Sequence, residues 1–141
     1  MMKRTISFVI VFTFCFVACI ATASASTITP MDSPTISIQT ASMSAGRNTG
    51  EIRIDFDISA RGNASTLGAS LIKVYNRNGS LVRTAIGTTS NGMLSSGSRY
   101  RGSYTYTGSS GTSYYAVVTF FAKVGTKTDS VNVTTATITA P

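Results

Sequence analysis

The longest apolar run after the N-terminus occupies residues 113–125, SYYAVVTFFAKVG. Most of its residues are Tyr, Val, Thr and Phe, whose side chains suit a pleated sheet. One set of alternate positions is apolar throughout, and the other is largely apolar, with Thr119 and Lys123 as its exceptions. A strand that is apolar on both faces is typically central and covered on each side by other elements. We therefore predict that this run is the central strand of a small all-β domain.

Strict alternation predicts a second strand at residues 51–60, EIRIDFDISA, where apolar side chains alternate with charged ones. One face of this strand is expected in the core and the other in water. Residues 69–75 and 80–86 flank the sequence Asn76-Arg77-Asn78-Gly79. Because an Asn-Gly pair tolerates the positive φ of a tight turn, these two segments are predicted to form a hairpin.

Three further strands are predicted at residues 35–43, 99–107 and 129–139. In the first of these the apolar parity switches after Ile38, which predicts a bulge. The segments between the strands, including residues 61–68 and 87–98, are polar and rich in Gly, Ser, Thr and Asn, and are predicted to be loops. Short strands separated by regular turn signals predict an all-β fold, a single sandwich of about seven antiparallel strands.

The N-terminus has the organisation of a cleavable signal peptide. A basic start precedes an apolar stretch at residues 6–20 and the small-residue cleavage site Ala23-Ser24-Ala25. We expect a secreted, extracellular protein, and the cell surface is one place where it could reside after export. Retention as a signal anchor and lipid anchoring at Cys19, where residues 16–19 resemble a lipobox, are the alternatives. The predicted organisation is a signal peptide at residues 1–25, an extended lead-in at 26–34 and a β-sandwich domain at 35–141.

Composition excludes several kinds of chemistry. The chain has no histidine, and Cys15 and Cys19 both lie in the predicted signal segment. The domain therefore has no disulfide, no Ser-His-Asp or Cys-His catalytic arrangement and no ligand set for zinc or copper, and we expect no cofactor. Loss of Lys3 and Arg4 with the signal lowers the net charge from +7 to +5. The remaining cations are scattered, which favours attraction to an anionic cell-wall polymer, glycan or surface protein over nucleic-acid binding.

The pattern YxAxVxFxA at residues 114–122, followed by a glycine turn and a closing strand rich in Thr and Val, resembles the F and G strands of fibronectin type III and related immunoglobulin-like sandwiches. The resemblance implies that residues 51–58 are the B strand and that residues 69–86 are the C–C′ hairpin. It also implies that Tyr114, at the start of strand F, occupies the position of the family's tyrosine corner. The tryptophan common on the family's B strand is absent. The chain is also similar to small exported proteins of Gram-positive bacteria, which implies no activity.

Three tyrosines of one parity in the strand at residues 99–107 are candidate ligand-binding residues, with two arginines beside them. If exposed, these tyrosines form an aromatic strip of the kind that stacks on sugar rings. The polar character of the opposite parity favours an inward position, in which the rings belong to the core. The candidate residues are Tyr100, Tyr104, Tyr106, Arg99 and Arg101.

Asp55 and Asp57 lie on one face of a predicted strand, about 6–7 Å apart by strand rise, which suits a glycosidase acid/base pair or a calcium site. Alternation by itself already predicts polar residues there. Lys73 or Lys123, with Asn132 and one of these aspartates, supplies the parts of a Lys–Asn amide bond, which requires a buried neutral lysine.

We expect a non-enzymatic interaction module that associates with cell-surface or cell-wall components through loops and exposed strand faces. A small carbohydrate-binding module that uses the tyrosines is the alternative. A glycosidase that uses Asp55 and Asp57 is the third hypothesis.

Overall fold

The structure, a computed structural model, describes residues 27–28 and 35–141. All the elements of secondary structure in this part of the chain are β-strands, and all the strand pairs are antiparallel. This confirms the predicted all-β class. None of the described residues forms a helix long and apolar enough to cross a membrane. The predicted signal peptide, with Cys19, and residues 26 and 29–34 of the lead-in lie outside the described residues. The strands are β1 (Thr27–Ile28), β2 (Ile36–Ala45), β3 (Glu51–Asn76), β4 (Leu81–Ile86), β5 (Leu94–Thr107), β6 (Ser113–Val124), β7 (Lys127–Thr134) and β8 (Ile138–Thr139).

The long strand β3 runs through both layers of the sandwich. Its first half pairs with β2 and β5, so that Ile54 lies opposite Met43 and Tyr104. Its second half pairs with β4 and β6 around Ile72. The first sheet therefore has the order β1-β2-β3-β5 and the second the order β4-β3-β6-β7, with β8 beside the start of β6.

Residues 61–68, predicted to be a loop, are the middle of β3, so this prediction is wrong. Ala64 and Leu67 are buried there and pair with β5. Gly62 and Gly68 have φ angles of 142° and 148°, a region that side-chain-bearing residues rarely adopt. The chain changes direction at these glycines, and this allows one continuous strand to leave the first sheet and enter the second.

Two other strand limits differ from the prediction. β5 begins at Leu94, inside the predicted loop at residues 87–98, because its first residues pair with the bend of β3. The predicted final strand at residues 129–139 is divided into β7 and β8. The division occurs at Thr135, whose buried hydroxyl accepts a hydrogen bond from the Ala116 N–H at 2.9 Å.

The predicted bulge and hairpin are confirmed. The register of β2 against β3 shifts between Ile36 and Ile38, so that Ile36 is buried while Ile38 is exposed. At the β3–β4 turn, Gly79 has a φ of 82°, and the Asn76 side chain accepts hydrogen bonds from two backbone N–H groups of the turn. The turn and the bulge together determine which side chains of β2 and β4 face the core.

The inner faces of the two sheets pack against each other. Phe56 of β3 meets Phe120 of β6 edge-on, with ring centroids 6.5 Å apart. Near the start of β6, the Tyr114 hydroxyl accepts a hydrogen bond from the Ser109 N–H at 2.9 Å, and Tyr106 packs edge-on against the Tyr114 ring. The fully buried core includes Met43, Ile52, Ile54, Ile58, Leu67, Ile72, Val74, Met93, Val118, Phe120 and Val133.

Strand β6 lies between β3 and β7, in the interior of its sheet as predicted, but its two faces differ. The inner set of side chains, from Tyr114 to Ala122, is buried. Tyr115, Val117 and Phe121 on the other face are half-buried, and no described element covers them. The prediction that other elements cover both faces is therefore wrong for the described part of the chain.

Candidate functional site

The outward face of the first sheet carries most of the polar side chains singled out in the sequence. Its strands alternate, so each inward apolar residue has outward polar neighbours. The register places Asp57 between Thr40 and Arg101, and Asp55 between Ser42 and Ser103. We call this surface the polar face: Thr40, Ser42, Ser44, Arg53, Asp55, Asp57, Arg99, Arg101, Ser103 and Thr105.

Asp57 is the centre of an ion-pair network on the polar face. Arg99 donates to both carboxylate oxygens, with 3.0 Å between Nε and Oδ1, and Arg101 Nε donates to Oδ2 at 2.7 Å. The hydrogen bond from Arg99 is the largest influence on the carboxyl, and it lowers the pKa of Asp57 below its ordinary value although burial acts in the opposite direction. The same contact raises the pKa of Arg99. Asp57 is therefore held ionised.

Asp55 and Arg53 form a second ion pair on this face, with 2.8 Å between Nε and Oδ1. A depression of about 400 Å³ lies over both aspartates, between Thr40 and Arg101. A second depression, of about 550 Å³, adjoins the first at Asp55 and extends toward Arg47 and Glu51. Serine and threonine hydroxyls, carboxylates and guanidinium groups line both depressions, which suits hydrogen bonding to a polar ligand.

The five predicted site residues are divided between the two faces of β5. Arg99 and Arg101 point outward to Asp57, whereas the three tyrosines are half-buried and pack against the core. Tyr100 lies 6.2 Å from Phe56 between ring centroids, and its hydroxyl donates to the Gly92 carbonyl. The tyrosines and arginines therefore cannot contact one ligand from the same side of the sheet.

The other two tyrosine hydroxyls also have structural surroundings. Arg83, on the edge strand β4, donates to the Tyr104 hydroxyl at 3.2 Å and thereby links the edges of the two sheets. Burial raises the pKa of Tyr106, which packs against Tyr114. Glycine at position 102 leaves the space that the Phe56 ring occupies.

The structure does not bring together the parts of a Lys–Asn amide bond. Asn132 is exposed on β7, where its side chain accepts a hydrogen bond from the Thr119 hydroxyl at 2.7 Å. Lys123 is exposed and Lys73 is half-buried on the outward face of the second sheet. Asp55 and Asp57 lie on the opposite sheet. Among the described residues, no three His, Cys, Asp or Glu side chains are grouped so as to hold a metal ion.

Sequence reasoning missed a group of cations at one end of the sandwich. Lys123 and Lys127 flank the β6–β7 turn, and Lys123 also pairs with Thr66 in the bend of β3. The backbone of that bend packs at Gly62 against Val124, which brings Arg61 to the same end. The two lysines on either side of a glycine turn were visible in the sequence. The contribution of Arg61 depends on the bend, which the sequence did not reveal. We call Arg61, Lys123 and Lys127 the basic end.

No family model and no curated protein matches the sequence. A solved structure, the GAE domain of GGA2p from Saccharomyces cerevisiae, is similar over 83% of this chain and 97% of that chain, with 16% sequence identity and a TM-score of 0.31. Similarity at this level does not establish a shared family or activity.

Proposed function

We propose that the protein is an exported, non-enzymatic interaction module with an immunoglobulin-like sandwich fold, and that it associates with anionic polymers of the cell surface or cell wall. The fold assignment is supported by the strand order. In the first sheet, β2, the first half of β3, and β5 correspond to strands A, B and E of the immunoglobulin fold. In the second sheet, β4, the second half of β3, β6 and β7 correspond to strands C′, C, F and G. It is also supported by the Tyr114 hydroxyl, which bonds to the backbone five residues upstream as in a tyrosine corner.

The distribution of ion pairs carries the functional proposal. The described acidic side chains are all engaged: Asp55 and Asp57 by arginines, Glu51 by Asn48, and Asp129 by the Thr35 N–H and hydroxyl. Of the ten described cations, only three form ion pairs with a described residue. The remaining seven are Arg47, Arg61, Lys73, Arg77, Arg83, Lys123 and Lys127.

These cations give the domain a positive potential that internal carboxylates do not cancel. Three of them converge at the basic end, where the side chains of Arg61, Lys123 and Lys127 are exposed. Phosphate or carboxylate groups repeated along a polymer can engage such cations together, and the attraction decays over about 8 Å in physiological salt. The basic end is therefore the contact surface that we propose for an anionic polymer.

The electrostatics of the polar face support a non-enzymatic role. A glycosidase needs one carboxyl that stays protonated near neutral pH to act as the general acid. Arg99 and Arg101 lower the pKa of Asp57, the opposite of this requirement. Asp55 has its own arginine partner.

Binding to immobilised poly(glycerol phosphate), with neutral dextran as the comparison polymer, tests the proposal. We expect binding to the phosphate polymer alone, weakening as salt rises from about 20 mM to about 300 mM. The double variant K123Q/K127Q should weaken binding roughly two- to thirtyfold, since each exposed ion pair contributes about 0.2–1 kcal/mol.

A matched variant, R47Q/R77Q, removes two exposed cations elsewhere and changes the net charge equally. It should have a smaller effect than K123Q/K127Q. Equal losses in the two variants would show that net charge and not the basic end governs binding. Salt-independent binding, or equal binding to dextran, would refute the electrostatic mechanism.

A further inference from the structure

The outward face of the second sheet differs in character from the polar face. Cross-strand pairing places Tyr75 beside Leu81 and Tyr115, and places Leu71 beside Ile86 and Thr119. Between these two rows, Lys73 pairs with Thr84 on one side and Val117 on the other. Six apolar side chains and two threonines thus surround one lysine. We call this surface the apolar face: Leu71, Tyr75, Leu81, Ile86, Tyr115 and Val117, around Lys73.

The β4 edge of the apolar face is open to solvent. Leu81 is 50% exposed and Ile86 is 69% exposed, and both lie on the edge strand β4. Tyr75 and Tyr115 stack in parallel, with ring centroids 5.2 Å apart, and both are half-buried. Contiguous exposed apolar side chains on a soluble domain typically mark an interaction surface. Aromatic side chains are also enriched at the centres of protein interfaces.

The charge on the apolar face specifies the partner more closely. Lys73 is half-buried and forms no ion pair with a described residue. No acidic side chain of the described chain points out from this face: Glu51, Asp55 and Asp57 belong to the other sheet, and Asp129 bonds to Thr35. A surface that covered Lys73 with apolar groups alone would leave a desolvated, unpaired ammonium group, which is costly.

We infer that the apolar face binds a protein partner whose own apolar patch carries a carboxylate, placed to pair with Lys73. A second copy of this chain meets the requirement poorly, because two-fold packing of the face would bring Lys73 against Lys73 with no acid to compensate. An anionic bilayer is also a poor match, since membrane surfaces attract clusters of basic residues and this face has a single central lysine. The inference concerns a different surface from the basic end and is independent of the function proposed above.

Selection from a displayed library of random dodecapeptides against the purified protein tests the inference. The enriched peptides should share an Asp or Glu flanked by apolar residues. K73E should weaken their binding by more than about tenfold, because it replaces an attraction inside the interface with a repulsion. Selection against K73E should enrich peptides with Lys or Arg in place of the acid. I86S, which changes a largely exposed side chain, should also weaken binding.

The matched control is R47E, the same charge reversal at an exposed cation outside both the apolar face and the basic end, which should leave peptide binding unchanged. K73M keeps the bulk of the side chain at position 73 and removes its charge, so it separates loss of the ion pair from misfolding. Urea unfolding of each variant verifies that the fold is intact. Enriched peptides without an acid, or equal effects of K73E and R47E, would overturn the inference. A dimer that I86S dissociates in sedimentation, or binding to phosphatidylglycerol vesicles that K73E abolishes, would overturn it in favour of a second copy or a lipid surface.

Discussion

Replacing Asp57 with asparagine tests the electrostatics of the polar face directly. The Asp57 carboxylate accepts hydrogen bonds from two arginines, and its side chain is only 20% exposed. The D57N variant would keep the size of the side chain but lose its charge, and would leave Arg99 and Arg101 close together without a counter-ion. The expected result is a loss of folding stability.

The magnitude follows from the number of partners. Exposed ion pairs contribute about 0.2–1 kcal/mol each, so a shared carboxylate with two partners, partly shielded from water, should contribute about 1–2 kcal/mol. Asp55 is the internal control, since it has one partner and a side chain that is 43% exposed. D55N should therefore cost less than about 0.5 kcal/mol. Urea unfolding at neutral pH measures both free energies of unfolding.

The pH dependence supplies a second, independent readout. The pKa of Asp57 is lower in the folded protein than its ordinary value of 3.8, so its ionised form stabilises the fold. That stabilisation is fully present above the ordinary value and is lost as the pH falls through the lowered pKa. The stability difference between the natural protein and D57N should therefore be constant near neutral pH and should shrink below about pH 4.

Two results would refute this reasoning. If D57N and D55N destabilised the protein equally, the second arginine would contribute nothing measurable. If the difference between D57N and the natural protein persisted unchanged at about pH 2, it would arise from packing rather than from charge.

Two further substitutions test the packing that positions β5 and β6. G102A would place a methyl group 2.6 Å from Cε2 of the buried Phe56 ring, and should cost about 1–3 kcal/mol in urea unfolding, with partial recovery in the F56L/G102A double variant. An additive double variant would show that the ring is not the obstacle. Y114F removes the acceptor for the Ser109 N–H and should cost about 1 kcal/mol by the same assay. An unchanged free energy of unfolding would mean that water replaces the hydroxyl at no cost.

Several features of the fold were predictable because they depend on local pattern. The alternation at residues 51–60 identified the first part of β3 as a strand and showed which of its side chains face the core. The change of parity after Ile38 identified the bulge in β2. The Asn-Gly pair at the β3–β4 turn likewise identified the hairpin. In each case the information lies within a few residues, since side-chain period and turn conformation are properties of the local backbone.

The bend of β3 could not be predicted in the same way. Residues 61–68 are polar and glycine-containing, and by composition they match a loop. They form a strand because β5 and β6 are present to pair with them, and those partners lie roughly 30 to 60 residues away in the sequence. The start of β5 at Leu94 depends on the same pairing. The grouping of Arg61 with Lys123 and Lys127 is a consequence of this bend.

The amino-acid sequence alone accounts for the strand class, the alternation that separates the core from the polar face, and the excess of cations over acids. It also showed that β6 is apolar on both sides. The tertiary structure was needed to show which charges meet, because the pairing of Asp57 with Arg99 and Arg101 depends on the register between β3 and β5. It also decided that the second side of β6 stays uncovered in the described chain, since burial depends on which elements pack across a face and not on the strand's own residues.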